Sequence, residues 1–209
     1  MKISFAKKGN WRDALRRAFI LRFHAKADFI QEEDAVADPL DDHFNGRYAY
    51  IGALTDEIFE NGTEAALRCS FEGTGAPMLM FAEDAKPDAD GDFRYAACIE
   101  VVIWQHGVNV WRYTRQGEIL HHHHAMADFL PLAEGEIHDL RVKIDRKNLL
   151  IQIDGKGSSV RIPDMPEKFR VGAALCEGVS RLYELQINEA NSFGDFLTWR
   201  GGNEPIQKF

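Results

Sequence analysis

YAACIEVVIWQHGVNVWRYTR, residues 95–115, reads as two β-strands facing each other across a turn. Ala97 to Trp104 is apolar and β-branched, and Trp111 to Thr114 is aromatic and polar. His106-Gly107 is the expected two-residue loop, because glycine tolerates positive φ. With that loop Trp104 faces Asn109, Val102 faces Trp111 and Glu100 faces Tyr113. Side chains alternate across a strand, so the hairpin has two unlike faces. One carries Ala97, Ile99, Val101, Ile103 and Val110, which is core material, with Arg112 and Thr114 in the same phase near the open end. The other carries Cys98, Glu100, Val102, Trp104, Asn109, Trp111, Tyr113 and Arg115. Indoles, a phenol, a carboxylate, an amide and a guanidinium together have the makeup of a binding face.

Strand-like runs continue on both sides of the hairpin at the spacing of a sandwich. Before it come AFILRFH (18–24), DFIQE (28–32), RYAYIG (47–52), TEAALRCSF (63–71) and PMLMFAE (77–83). After it come EILHHHHAMADFL (118–130), EIHDLRVKID (136–145), NLLIQIDG (148–155), SSVRI (158–162), FRVGAAL (169–175) and SRLYELQIN (180–188). Asp145 to Asn148 and Asp154-Gly155 are hairpin turns by composition. About a dozen short strands, no strong helix and no alternation of strand with helix predict an all-β chain, an antiparallel two-sheet β-sandwich. One domain spans residues 1–209, with 1–17 as an approach segment in which Asn10 is placed to cap a short helical turn. The aromatic but Gly- and Pro-broken segment 191–209 is expected to pack as a tail along the sandwich.

Composition narrows the partners. The formal charge is -8, with the acidic residues spread along the chain and no basic block. That argues against nucleic acid and against an anionic membrane surface. The amino terminus lacks an apolar signal-peptide run and no later stretch reaches the ~20 apolar residues that span a bilayer, so a cytoplasmic location is expected. Cys69, Cys98 and Cys176 are widely spaced within strand-like runs and read as buried free thiols.

LRVKIDRKNLLIQIDGKG and VRIPDMPEKFRVGAALCEGVSRLYELQI, between Leu140 and Ile187, resemble the carboxy-terminal half of concanavalin A-like lectin/glucanase domains, laminin-G-like modules included. The resemblance implies a jelly roll with a concave sheet on which a saccharide lies, and the hairpin of residues 95–115 as its floor. It implies a lectin, a glycoside hydrolase, a lyase or an interaction module alike. The laminarinase-type signature Glu-x-Asp-x-x-Glu is not present, since Glu100 is followed by Val-Val-Ile-Trp. Retaining hydrolysis needs two carboxyl groups ~5 Å apart, and this strand supplies one.

Glu100 is the sharpest catalytic candidate, because a carboxylate set between Cys98 and Val102 is partly desolvated. The alternative is a structural ion pair with Arg94 or Arg115. Trp104, Trp111 and Tyr113 offer flat surfaces for sugar rings, while His106, Asn109 and Arg115 offer hydrogen bonds. The competing reading is a second hydrophobic layer beneath a neighbouring loop. The internal run His121–His124 splits in a strand into two His-x-His pairs on opposite faces. His122 is the expected acid/base partner of Glu100, and His121 with His123 forms a potential transition-metal pair. Asp84, Asp88, Asp90 and Asp92 alternate as in a calcium loop, but the position where an EF-hand needs glutamate is Ile99, so a solvated acidic turn is expected.

Two hypotheses follow. One is a carbohydrate-binding or carbohydrate-processing protein that requires no cofactor, with a divalent ion, Zn or Ca, as the open addition. The other is a non-catalytic interaction module whose aromatic face is covered by another subunit of a homo-oligomer.

Overall fold

The computed structural model describes residues 1–21, 28–38, 50–117 and 119–189. Two sheets stack face to face. The first runs in the order β16 (Lys156–Arg161), β15 (Asn148–Ile153), β14 (His138–Asp145), β7 (Glu64–Phe71), β18 (Ser180–Ile187), β4 (Val36–Asp38), β3 (Ile30–Gln31), with β1 (Lys2–Ser4) also on β18. The second runs β13 (Ile119–Phe129), β12 (Gly107–Gln116), β11 (Cys98–Trp104), β8 (Met78–Ala82), β17 (Lys168–Cys176), β5 (Tyr50–Thr55), β2 (Leu15–Ile20), β10 (Phe93–Tyr95), β9 (Lys86–Pro87), with β6 (Phe59–Glu60) on β17. Pairing is antiparallel except between β10 and β2, which run parallel.

Alternation puts the core where the sequence places it. Leu67, Cys69 and Phe71 of β7, with Leu140, Val142 and Ile144 of β14, meet Ile99, Val101 and Ile103 of β11 and Val108 and Val110 of β12 between the sheets. The β14–β15 and β15–β16 connections are the two turns read from composition, with Arg146 at φ 57° and Asp154 at φ 48° followed by Gly155 at φ 80°. Successive positive φ values match the right-handed twist of the flanking strands, which is why Asp-Gly closes such a hairpin.

The first seventeen residues hold more structure than an approach. Lys2–Ser4 pairs with Glu184–Gln186, and Ile3 and Phe5 are fully buried. Asn10 precedes a four-residue helix, α1 (Trp11–Ala14), yet makes no side-chain cap. Its amide instead accepts from the Ser4 N–H at 2.8 Å and donates to the Lys2 carbonyl at 3.1 Å, tying the turn back to β1. The expected tail 191–209 and the turn-rich run around residues 39–46 lie outside the described residues. Cys69, Cys98 and Cys176 are buried and none is in a disulfide. Among the described residues no helix is long and apolar enough to cross a membrane.

The ten-stranded sheet is also covered on its outer side. Ala18, Ile20, Tyr50, Met78, Met80, Phe93, Tyr95, Cys98, Val102 and Tyr113 form a second buried cluster there. β8 therefore has no solvent phase, which explains why MLMFA is apolar at every position rather than at every second one.

Candidate functional site

The hairpin β11–β12 forms, but in a different register from the one expected. Trp104 pairs with Gly107, Val102 with Asn109, Glu100 with Trp111 and Cys98 with Tyr113. The loop is therefore Gln105-His106. Gly107 takes its positive φ, 135°, as the first residue of β12 rather than as a loop residue. The cause is the neighbouring strand: a Cβ at Gly107 would lie 2.0 Å from the Asp128 carbonyl oxygen and 2.6 Å from the Leu130 nitrogen. Only glycine lets β13 approach that closely. Each strand moves by one residue, so partners change by two and every side chain keeps its face.

That preserved face splits along its length. Glu100, Val102 and Tyr113 are buried within the outer cluster, while Trp104, Asn109 and Trp111 are half-buried and border an open pocket of about 400 Å³. Glu100, Val102 and Met78 also line the pocket, with Tyr50 and Cys176 entering from neighbouring strands. Thr74 and Glu177 come from two adjoining loops, held together by the Thr74 hydroxyl donating to the Glu177 carbonyl at 2.6 Å. Gln105 of the hairpin loop completes that side, and His122 of β13 stands on the other.

Glu100 is 3% exposed and accepts a 2.7 Å hydrogen bond from Tyr50, whose own hydroxyl accepts from Tyr95 at 2.8 Å. Burial first, and the nearby Glu100 carboxylate second, push the Tyr50 phenol well above its ordinary value, so it stays protonated and donates. The Cys98 thiol is raised by the same two causes in the same order, and so is inert. The two arginines considered as partners of Glu100 are engaged elsewhere: Arg94 donates to Asp88 at 3.0 Å and Arg115 to the Gly117 carbonyl at 2.8 Å.

The histidine run divides as alternation requires. His122 lies against Tyr113 with ring centroids 5.9 Å apart, and His124 stacks on Trp111 at 4.5 Å and 22°. His124 Nε2 also lies 3.1 Å from the Asn109 amide oxygen. His121 and His123 oppose Thr114 and Arg112 on the other face and are exposed. His106 packs edge-on against Trp104 at 4.7 Å, outside the pocket wall, and Arg115 lies beyond the pocket toward the far end of β12.

The pocket thus gathers Glu100, His122, Trp104, Asn109, Trp111 and Tyr113 of the residues singled out in sequence, and leaves His106, Arg115, His121 and His123 outside its lining. It adds Tyr50, Thr74, Gln105 and Glu177. Of these only Gln105, beside the turn, carried a local signal.

Among the described residues one group of three potential metal ligands lies close together, Asp88, Asp90 and Asp92, with carboxylate oxygens within 4.8 Å of one another. It is far along the sheet from the pocket, at the β9–β10 turn. Arg17 clasps Asp92 with two bonds of 3.0 and 3.1 Å, Arg94 holds Asp88, and the Asp88 carboxylate accepts the Asp90 and Asp92 N–H groups. Two of the three carboxylates, those of Asp88 and Asp92, are thereby each paired with an arginine.

No family model and no curated sequence matches this chain. Solved structures do. A glycoside hydrolase family 16 endo-glucanase from Bacteroides ovatus superposes with a TM-score of 0.58 at 11% identity, covering 90% of this chain and 99% of that one. A carbohydrate-binding module from Bacillus subtilis gives 0.56 at 12%, covering 77% and 91%. A legume lectin-like domain from Entamoeba histolytica gives 0.54 at 15%, covering 90% and 97%. The chain folds as a concanavalin A-like β-sandwich. Within this concanavalin A-like fold the pocket lies on the outer face of the ten-stranded sheet, over β11 and β12.

Proposed function

We propose that this protein binds a saccharide in the pocket over β11 and β12. The observation that carries the reading is the lining itself: half-exposed indoles of Trp104 and Trp111 stand beside the Asn109 and Gln105 amides, the Thr74 hydroxyl and the buried Glu100 carboxylate. Flat apolar rings with a few convergent polar groups match the alternating C–H and O–H surfaces of a sugar ring. A volume of about 400 Å³ lies within the range of small-ligand sites. That the structurally similar proteins are an endo-glucanase, a carbohydrate-binding module and a lectin-like domain supports the same class. An interface awaiting another subunit would instead present a sealed apolar patch with a polar rim.

If the saccharide is also cleaved, Glu100 and His122 are the acid/base pair, because both line the pocket, one from β11 and the other from β13. The test is tryptophan fluorescence of metal-stripped protein titrated with neutral mono- and oligosaccharides. A saturable change with one sugar, weakened at least tenfold in Trp111→Ala, is the expected result. Glu100→Gln then separates binding from turnover: retained binding with lost product release assigns catalysis to Glu100. A flat response across the panel overturns the saccharide reading.

A further inference from the structure

β13 is the outermost strand of its sheet among the described residues. It runs eleven residues, pairs on one side with β12, and carries no Lys, Arg or Pro of the kind that blunts exposed edges. A bulge falls late in the strand, where the β12 partners change between Val110 and Trp111, so Ile119 to His124 is regular. Among the described residues no strand pairs with the other edge of this segment, which is a row of backbone donors and acceptors with the spacing of any antiparallel partner.

Its side chains are self-complementary. An antiparallel neighbour related by a two-fold axis keeps each residue on its own face, so it must pair positions of like parity. The pairing that centres His122 on its own copy sets His121 against His123 of the second chain, and His123 against His121. Opposed Cβ atoms in such a ladder lie ~5 Å apart and alternate residues on one strand ~7 Å apart. Four imidazoles would then occupy the corners of one small rectangle.

The two His-x-His faces differ in availability. His122 and His124 are stacked on Tyr113 and Trp111, and His124 also meets Asn109. His121 and His123 are exposed on the opposite face. One chain therefore offers two imidazoles there, which is half of a tetrahedral site.

We propose that two copies of this chain pair edge to edge along β13 around a transition-metal ion of the zinc class, bound by His121 and His123 of each copy. Zinc accepts imidazole nitrogen at ~2.0–2.1 Å and takes four ligands, so the second copy completes a site that one chain leaves half-built. The proposal is independent of the saccharide reading.

The experiment is sedimentation equilibrium of tag-free protein, stripped with EDTA and then titrated with Zn²⁺, alongside H121A/H123A and H122A/H124A variants. All four positions are exposed, so the substitutions leave the core intact. The expected result is a monomer in EDTA that doubles in mass at one Zn²⁺ per two chains. H121A/H123A should weaken the Zn²⁺-dependent association at least a hundredfold, and H122A/H124A should keep it. A mass unchanged by Zn²⁺, a dimer that persists in EDTA, or a Zn²⁺-dependent dimer retained by H121A/H123A would each overturn the proposal.

Discussion

Replacing Arg112 with methionine tests whether the hairpin's open end is held by charge. Arg112 lies on the core face of β12 yet is 2% exposed, at a position where alternation calls for an apolar side chain. Its guanidinium donates to Asp164 Oδ2 at 3.1 Å, to the Asp164 carbonyl at 3.0 Å, to Glu83 Oε1 at 3.0 Å, and to the Tyr113 and Cys98 carbonyls at 2.9 and 3.3 Å. Breaking a buried pair from one side costs about 3–5 kcal/mol. The lower end applies here, because the Asp164 side chain is 49% exposed and the Glu83 side chain 25%, so both carboxylates regain water when the cation goes. About 3 kcal/mol is the expected loss, or roughly 6–12 °C in melting temperature for a chain of this size. Asp164→Ala, which removes only the more exposed partner, should cost under about 1 kcal/mol. Lysine at 112 should fall between, since one ammonium cannot reach both sides of the fork. The assay is thermal and urea unfolding followed by tryptophan fluorescence. A R112M protein within about 1 kcal/mol of the parent, or no more destabilised than D164A, would refute the reasoning.

Other perturbations read different parts of the structure. Gly107→Ala should destabilise by about 2–4 kcal/mol, visible as a lowered urea midpoint, because a Cβ there meets the β13 backbone and an alanine is strained at φ 135°. Tyr50→Phe should cost about 1–2 kcal/mol in the same measurement by removing the donor to buried Glu100. His138 is raised by its hydrogen bond to Asp154, with burial opposing. Asp154 is pushed up by burial but lowered on balance by the bond from His138. The His138 contribution is complete below about pH 6.5 and fades as pH rises through its folded value, and the Asp154 contribution is present above about pH 4 and fades as pH falls through its own. Asp154→Asn should therefore lose about 1 kcal/mol near pH 5.5 and less at pH 8.5, and an equal loss at both would refute the assignment.

The hairpin shows what a sequence carries and what it leaves out. The face assignment of residues 98–113 followed from alternation alone and survives a wrong turn, because sliding both strands by one residue conserves parity. The turn itself depended on the room β13 leaves at Gly107, and that contact is with residues more than twenty positions away. The pocket's remaining members were illegible for the same reason. Thr74 and Glu177 meet because the β7–β8 and β17–β18 loops adjoin, which only the sheet order determines. β1 was too short to show a period, and Asn10 had two ways to satisfy its amide. It took the one that bridges Ser4 and Lys2, since a four-residue helix gives a cap little to stabilise.

Across the ten-stranded sheet the outer face changes character strand by strand. β8 is apolar on both sides, β11 sets Glu100 among apolar neighbours, β12 alternates Asn109, Trp111 and Tyr113 against the core, and β13 turns histidine to both faces. A pocket can form only where this gradient passes from sealed to wet, because burial fixes a carboxylate's geometry while exposure admits a ligand. That place is one strand in from the edge. The same strand that supplies His122 to the pocket wall is also the outermost of the sheet among the described residues. A second copy joined along β13 would continue the outer face without a break and set two pockets side by side on one surface. Two sites on one rigid sheet suit a repeating ligand, since a chain held in the first pocket meets the second at raised effective concentration.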